Sequence, residues 1–451
     1  MFAPLGLTKQ PLVRLTAALR GPFGLATKTP ARKFYFVIMP GSTSHDRIFR
    51  ARYALRDRVA RLLASGFILA GLWISAPQAA PFHPTDDGTV LERLPFRPTD
   101  PVQRELRELR AAYAARQGEV GPALDLARRY FNLALDTGDL RYIGYAEAAL
   151  SAWRRPGPVP VDVLVVRAQL AQYRHQFNEA LTLFDSAIAL DPKNARAFAW
   201  RAAVNMVIAR YDAVRPDCMR LRELGEALLA TGCTAYLDAT LGQARSAHDA
   251  LAAGVQAEPE ARPTLKLWTL TVLAEIARRL GDVKGAEAHY RAALRIDDSD
   301  QYVLAAYAEL LAHQRRWNDI VALLRRWERS DVLLLLLARA ERALGSPAAH
   351  AHASSLRARF ADAALRGDAF NAQDEAWFRL EFEGDPKGAL ALALQNWSVQ
   401  KEPRDAEIVL EAALAARDPS SAAPVLEWLA RTGVEDPQLA RLAESLRQIR
   451  R

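Results

Sequence analysis

Small and bulky apolar residues recur along the chain at offsets of four and three, the spacing that places side chains on one face of a helix. A small residue is followed by a bulky one four positions later, by a small one three later, and often by a proline five beyond that. The segment EALTLFDSAIALDP shows this best, with Ala180, Phe184, Ala187 and Pro192. Because proline cannot continue a helix, it predicts the turn that ends each element.

The pattern repeats and predicts a series of helical hairpins. Its successive starting positions lie about 34 residues apart, with one longer interval after Ala247. The stretch before each start, such as LKLWTLTVLAEIARRLGD, predicts a first helix that ends in a tight turn. A single hairpin cannot bury its apolar face alone, so neighbours must stack, which predicts an all-α solenoid, an α-α superhelix. The starting residues are Ala146, Ala180, Val214, Ala247, Ala286, Ile320, Ser354, Ala389 and Ala423.

This pattern resembles the tetratricopeptide repeat family, which has the same period of about 34 residues. The resemblance covers roughly residues 124–436, with degenerate repeats in places. It implies a right-handed superhelix whose first helices line a concave groove that binds other proteins or peptides. Carrying the family's groove positions onto this sequence gives the candidate partner-binding residues Arg196, Tyr236, Trp268, Glu275, Arg278, Arg279, Tyr302 and Glu309.

A leader precedes the repeats. Six arginines are followed by the apolar run Leu62–Ile74 and then by small residues, the order of a secretory signal. The run is shorter than the roughly 20 residues that a helix needs to cross a bilayer. The small-residue exit is imperfect, because Pro77 or Gln78 lies three positions before either cleavage point. We expect a cleaved signal and a periplasmic or secreted protein; the alternatives are a signal anchor that tethers it to the inner membrane, or a buried helix.

Five segments follow from these patterns. A signal of usual length would begin near Met39, so we interpret the preceding residues as an upstream extension. The segments are residues 1–38, the extension; 39–80, the signal peptide or signal anchor; 81–100, an extended proline-containing linker; 101–436, the tetratricopeptide-like repeats; and 437–451, a C-terminal capping helix.

Charge separates the leader from the body. The chain has a formal net charge of +8, but residues 1–79 hold 12 Lys/Arg against 2 Asp/Glu. The remaining residues hold 48 basic and 50 acidic side chains. A nearly neutral body offers no broad basic surface to phosphate backbones, so we expect no nucleic-acid partner.

The cysteines and two of the histidines are candidates for special chemistry. Cys218 and Cys233 fall on predicted neighbouring antiparallel helices, so their spacing allows either a disulfide or two buried thiols. An oxidising compartment would favour the disulfide. His350 and His352 do not share a helix face and lack further ligands nearby, so we expect no metal site.

Catalytic motifs are absent from the sequence. It contains no phosphate-binding Gly-Lys-Ser/Thr loop, no Gly-x-Ser-x-Gly elbow and no His-Glu-x-x-His helix. We therefore expect no catalytic residues and no cofactor, and we predict a non-enzymatic scaffold of a bacterial-type cell envelope that binds a protein or peptide in its groove. An envelope assembly factor that binds polysaccharide or another polymer is the alternative, with an enzyme of dispersed site residues as a third hypothesis.

Overall fold

The structure, a computed structural model, describes residues 100–154, 157–366 and 372–449. Residues from Arg104 onward belong to one compact unit, whose fold is given below. The predicted upstream extension, the leader with Leu62–Ile74, and the linker up to residue 99 lie outside the described residues. Among the described helices, none is long and apolar enough to cross a membrane.

The described chain is built from helices, and no strand occurs within these ranges. After an initial helix α1 (Pro101–Ala115), helices follow in antiparallel pairs. The pairs of the first half are α2 (Val120–Thr137) with α3 (Arg141–Ala149), α4 (Val161–Tyr173) with α5 (Phe177–Leu190), α6 (Ala195–Val207) with α7 (Tyr211–Glu223), α8 (Ala227–Thr240) with α9 (Ala244–Ala257), and α10 (Pro263–Arg279) with α11 (Val283–Ile296).

Four more pairs and a last helix complete the unit. A short 3₁₀ turn, Ser151–Arg154, follows α3, and a π-helical turn, Arg379–Glu383, extends α16. The helices are α12 (Gln301–His313) with α13 (Trp317–Leu324), α14 (Asp331–Ala343) with α15 (Ala348–Arg366), α16 (Ala372–Phe378) with α17 (Pro386–Val399), α18 (Pro403–Ala416) with α19 (Ala423–Thr432), and α20 (Pro437–Ile449). The even-numbered helices from α2 to α18 are the first helices of the nine hairpins in the described residues.

The first helices form the inner layer of the solenoid. Each packs on the next in an unbroken series from α2 to α18, and each also packs on its own partner helix. The first helix α10 buries 12 of its 17 residues, whereas its partner α11 buries only Ala286, Tyr290 and Ala293 of 14. Neighbours on both sides therefore cover the first helices, as expected for the inner layer of stacked hairpins.

The turn inside each hairpin contains a residue with a left-handed backbone. This conformation closes a helix and suits glycine, which has no Cβ to clash. Five of the turns use glycine, and the other four force a side chain into the same backbone region. The residues are Gly138, His175, Ala209, Gly242, Gly281, Arg315, Gly345, Gly384 and Arg417.

The expected all-α superhelical solenoid is confirmed, and its repeats are of the tetratricopeptide type. All nine predicted starting positions fall in second helices, and most are buried, as Ala180 is at 0% exposure. Two of the predicted starting positions are wrong, because Ser354 and Ala423 are exposed instead of buried. In their helices the core positions are instead taken by residues such as Leu356 and Trp428, which are bulky enough to fill the groove between helices.

Candidate functional site

A cavity of about 340 Å³ lies on the inner face of the solenoid. Its walls are the last turns of α4 and α10, the middle of α8 and α12, and the first turns of α14, α16 and α18. Of the eight predicted groove residues, six line it: Tyr236, Glu275, Arg278, Arg279, Tyr302 and Glu309. The inner face therefore brings together side chains from hairpins far apart in sequence.

Arg279 and Tyr236 form the floor of the cavity. The Arg279 side chain is 2% exposed, and its guanidinium carbon lies 5.4 Å from the centroid of the Tyr236 ring. Its Nη1 donates a hydrogen bond to Thr240 Oγ1 over 3.2 Å. A cation over an aromatic face is attracted by the ring quadrupole, so this arginine is held in one position. Burial raises the pKa of Tyr236 well above its usual range, which keeps the hydroxyl protonated.

Glu275 and Tyr302 form a second fixed pair. The Tyr302 hydroxyl donates a hydrogen bond to Glu275, and Arg279 Nη2 lies 3.9 Å from Glu275 Oε2. Burial raises the pKa of Glu275 above its ordinary value, although Arg279 opposes that shift. Burial also raises the pKa of Tyr302 well above its usual range, so the tyrosine remains the donor.

The other two lining residues that the sequence predicted, Arg278 and Glu309, contact the last repeats across the groove. Arg278 Nη1 lies 3.1 Å from Asp436 Oδ2, and Glu309 forms an ion pair with Arg404. Arg404 is also 3.4 Å from Asp374 Oδ1. Burial raises the pKa of Asp374 to about 6, although Arg404 opposes this. These arginines and carboxylates are thus paired within the chain.

Two acidic and two basic side chains of the cavity lie at helix ends where the helix dipole favours their charge. Asp331 is the first residue of α14 and Glu402 is the N-cap of α18, where the positive end of the helix dipole favours a carboxylate. Arg278 and Arg279 stand in the last turn of α10, where the negative end favours a cation. The lining is therefore mixed in sign on both sides, because Glu275 also belongs to α10 and Arg404 belongs to the late helix α18.

His175 closes the cavity at the end of α4. It occupies the left-handed position of its turn, with φ at 58°, and its ring stacks on Phe177 at a centroid distance of 5.4 Å. Burial lowers the pKa of His175 to about 4. The imidazole is therefore neutral near pH 7, so it adds no charge to this wall.

Two of the predicted groove residues lie elsewhere. Trp268 is 3% exposed and packs on Gly232 of the neighbouring first helix, where an added Cβ would lie 2.5 Å from the ring atom Cζ3. Arg196 stands at the start of α6, and its Nη1 is 4.0 Å from Asp162 Oδ1. Neither residue lines the cavity.

Sequence reasoning missed the late residues that complete the site. Glu402, Arg404 and Asp374 line the cavity, and Asp436 holds Arg278. They come from the last repeats, where the pattern is weakest. No local signal pairs them with α8, α10 or α12, because at least one whole hairpin separates them from those helices in the sequence.

The two cysteines form a disulfide next to this region. Cys218 of α7 is joined to Cys233 of α8, with Cα atoms 5.6 Å apart. Both cysteines are buried, with exposures of 1% and 3%. The bond links the second helix of one hairpin to the first helix of the next, so it fixes the stacking of two repeats.

The side chains that line the cavity are of types suited to binding another protein. Among the described residues, no group of three His, Cys, Asp or Glu side chains is placed to hold a metal ion. His352, one of the two closely spaced histidines, instead contacts a carboxylate, with Nδ1 2.7 Å from Glu341 Oε2. The cavity presents tyrosine rings and guanidinium groups that are fixed by their partners, and these side-chain types dominate binding energy at protein interfaces.

Comparisons with known proteins bear on the fold. No protein-family model matches the chain, and no curated protein sequence matches it. Similar solved structures include PilW, a widely conserved type IV pilus biogenesis factor, at 16% identity and a TM-score of 0.36, covering 45% of this chain and 95% of PilW. The human IFIT1 dimer with m7Gppp-AAAA has 13% identity and a TM-score of 0.41, covering 77% of this chain and 86% of its own.

A third structure is the APC/C hetero-tetramer Cut9–Hcn1, with 13% identity and a TM-score of 0.44, covering 76% of this chain and 66% of that one. At these identities the likeness concerns the fold alone.

Proposed function

We propose that this protein is a non-enzymatic scaffold of a bacterial-type cell envelope that holds a protein or peptide on the inner face of its solenoid. The observation that carries the proposal is the 340 Å³ cavity, whose lining includes tyrosines and arginines held in fixed positions. Pockets for bound groups typically measure about 300–1,000 Å³. Rigid aromatic and arginine side chains lose little entropy on binding, which favours recognition of a partner's side chains.

The compartment is part of the proposal. The leader has the order of an export signal, and the Cys218–Cys233 disulfide supports an oxidising compartment, because such bonds are rare in the cytosol. A protein cut near Ala80 would be periplasmic or secreted. A protein that keeps Leu62–Ile74 would be tethered to the inner membrane, and intact mass of the protein from fractionated cells distinguishes the two.

A cavity-filling variant tests the binding site. Ala306, on the inner face of α12, lines the cavity, so Ala306→Phe should block it with little change in the surrounding helices. Ser186→Phe, on the exposed side of α5, is the matched control. We expect pull-down from an envelope extract to recover a partner with the wild type and with Ser186→Phe, and to lose it with Ala306→Phe. Unchanged recovery by a folded Ala306→Phe variant would refute the site.

The polymer-binding alternative is less well supported by the inner face. That hypothesis relied on Trp268 and Tyr302 as stacking platforms for sugar rings. Trp268 is 3% exposed and does not line the cavity, so only one of the two platforms is on the inner face. Co-sedimentation with envelope polysaccharide remains the direct test of this alternative.

A further inference from the structure

A second cleft, of about 200 Å³, lies between the first two hairpins. Three arginines line it: Arg154 ends the 3₁₀ turn after α3, Arg167 lies on α4, and Arg174 directly follows α4. Positions 167 and 174 are seven residues apart, so they lie on one face of the helix. That face differs from the one that lines the inner cavity, to which α4 contributes Gln172 and Tyr173. The cleft is therefore separate from the proposed scaffold site.

One carboxylate holds two of these arginines. Arg154 Nη2 donates to Glu147 Oε2 over 3.3 Å, and Arg174 Nη1 lies 3.0 Å from Glu147 Oε1. Arg167 Nη1 instead donates to the Trp153 carbonyl over 3.2 Å. Among the residues that the structure describes, Glu147 is the one carboxylate in contact with these arginines. The three guanidinium groups therefore share a single countercharge.

The shape of the cleft suits a small anionic group. Its floor is apolar and closed, because Leu150, Leu170 and Ala171 are all buried. The opposite wall is Gln176 and Glu179, at the start of α5. This helix begins without a side-chain cap, so the positive end of its dipole adds to the charge of the arginines. Glu179 is the second acid of the lining, which leaves an excess of one arginine.

The arginines are available to a ligand. The side chains of Arg154 and Arg174 are 58% and 41% exposed. Ion pairs of such exposed groups are weak, because water screens them and long side chains lose entropy when they are fixed. An anion with more charge than one carboxylate can therefore take the place of Glu147. The guanidinium fork matches the oxygens of a phosphate group, with which it forms two parallel hydrogen bonds.

We propose that this cleft binds a phosphate group, held by Arg154, Arg167 and Arg174 where Glu147 now bridges two of them. A phosphate monoester carries close to two negative charges near pH 7 and three strong acceptor oxygens. It can therefore engage three guanidinium groups, whereas the carboxylate engages two. Free phosphate and a lipid phosphate share this chemistry. The inference goes beyond the scaffold function and does not depend on it.

The experiment uses the full chain with inorganic phosphate as the probe, followed by the width of its phosphorus NMR line at constant ionic strength. Arg167→Gln removes the guanidinium that has no carboxylate partner, and Glu147→Gln removes the internal competitor. Arg295→Gln is the matched control, since Arg295 is an exposed arginine in the last turn of α11. Acetate at equal concentration tests whether phosphate is preferred to a carboxylate.

We expect saturable binding of phosphate by the wild type and by Arg295→Gln. Arg167→Gln should bind about tenfold more weakly, because one charge-assisted pair of hydrogen bonds is lost. Glu147→Gln should bind about fivefold more tightly, the effect of losing one exposed competing ion pair. That gain cannot arise from misfolding, so the inference can be tested even if Arg167→Gln is unstable.

Vesicles distinguish the two sources of phosphate. Phosphatidylcholine vesicles with and without phosphatidic acid are compared in flotation assays, so that any insertion of the apolar leader is common to both. Flotation that requires phosphatidic acid and is lost in Arg167→Gln would assign the cleft to a lipid headgroup. Binding of inorganic phosphate without such flotation would assign it to a soluble phosphate compound.

Four results would overturn the inference. These are no saturable binding of phosphate, equal competition by acetate, an unchanged affinity in a folded Arg167→Gln variant, or weaker binding by Glu147→Gln. The scaffold function has a separate readout, because Ala306→Phe alters the inner cavity and leaves this cleft intact. A partner lost in that variant while phosphate fails to bind would leave the scaffold function standing and the phosphate site refuted.

Discussion

Gly232 is in close contact with Trp268. We predict that Gly232→Ala lowers the stability of the protein when Trp268 is present and raises it when Trp268 is replaced. Gly232 lies inside α8, where alanine is normally about 1 kcal/mol more favourable than glycine. An added Cβ would lie 2.5 Å from Trp268 Cζ3 and 2.7 Å from Cη2. Both distances are far below van der Waals contact, so the indole ring must shift, and overpacking of this kind typically costs about 1–3 kcal/mol. Gly232→Ala should therefore destabilise the protein by about 1 kcal/mol net.

The same substitution should stabilise the protein once the ring is gone. In a Trp268→Leu background the clash is removed, and the helix preference alone predicts a gain of about 1 kcal/mol. Urea unfolding followed by far-ultraviolet circular dichroism gives the midpoints, and each alanine variant is compared with its own parent. A higher midpoint for Gly232→Ala in the presence of Trp268 would refute the reasoning, as would the absence of coupling between the two sites.

Three further predictions concern stability. Burial raises the pKa of Asp405 to about 7; the folded state therefore binds the proton more tightly than the unfolded state, so stability should fall as pH rises from about 4 to about 7. Thermal midpoints at pH 5 and pH 8 measure this, and an Asp405→Asn variant with an equally large difference would contradict it. Replacing Cys218 and Cys233 by alanine should cost about 3 kcal/mol, the value for a closed loop of this length; unfolding midpoints that do not respond to reductant in the wild type would argue against it. Arg315→Gly should add about 0.5–1 kcal/mol by relieving its left-handed backbone, with φ at 55°, and a lower midpoint would show that the turn is not strained.

The hairpins were predictable because their signal is local. Offsets of four and three within one helix set which face is buried, and a spacing of about 34 residues carries that face from one repeat to the next. The register failed in α15 because the helix is rich in small residues around Ala353, so several registers satisfy the pattern. Only packing decides among them, and it selects Leu356 and Phe360 for the core.

The candidate site was predictable in part for the same reason. Residues such as Glu275 and Arg279 lie on the inner helix of a clear repeat, so their approach to the groove follows from the repeat frame. Trp268 is on that helix too, but Gly232 leaves a space beside it, and burying a large ring there is more favourable than exposing it. Asp436 and Glu402 depend on how far the solenoid winds, which no pattern within one repeat specifies.

The central claim is that the inner face of the solenoid is where a partner binds. Its most direct test is photo-crosslinking in the native host, with a photoreactive residue placed at Ala306 in the cavity or at Ser186 on the outer side of α5. We predict a discrete crosslinked polypeptide from position 306 and none from position 186. Crosslinks of equal yield from both positions, or from position 186 alone, would contradict the account.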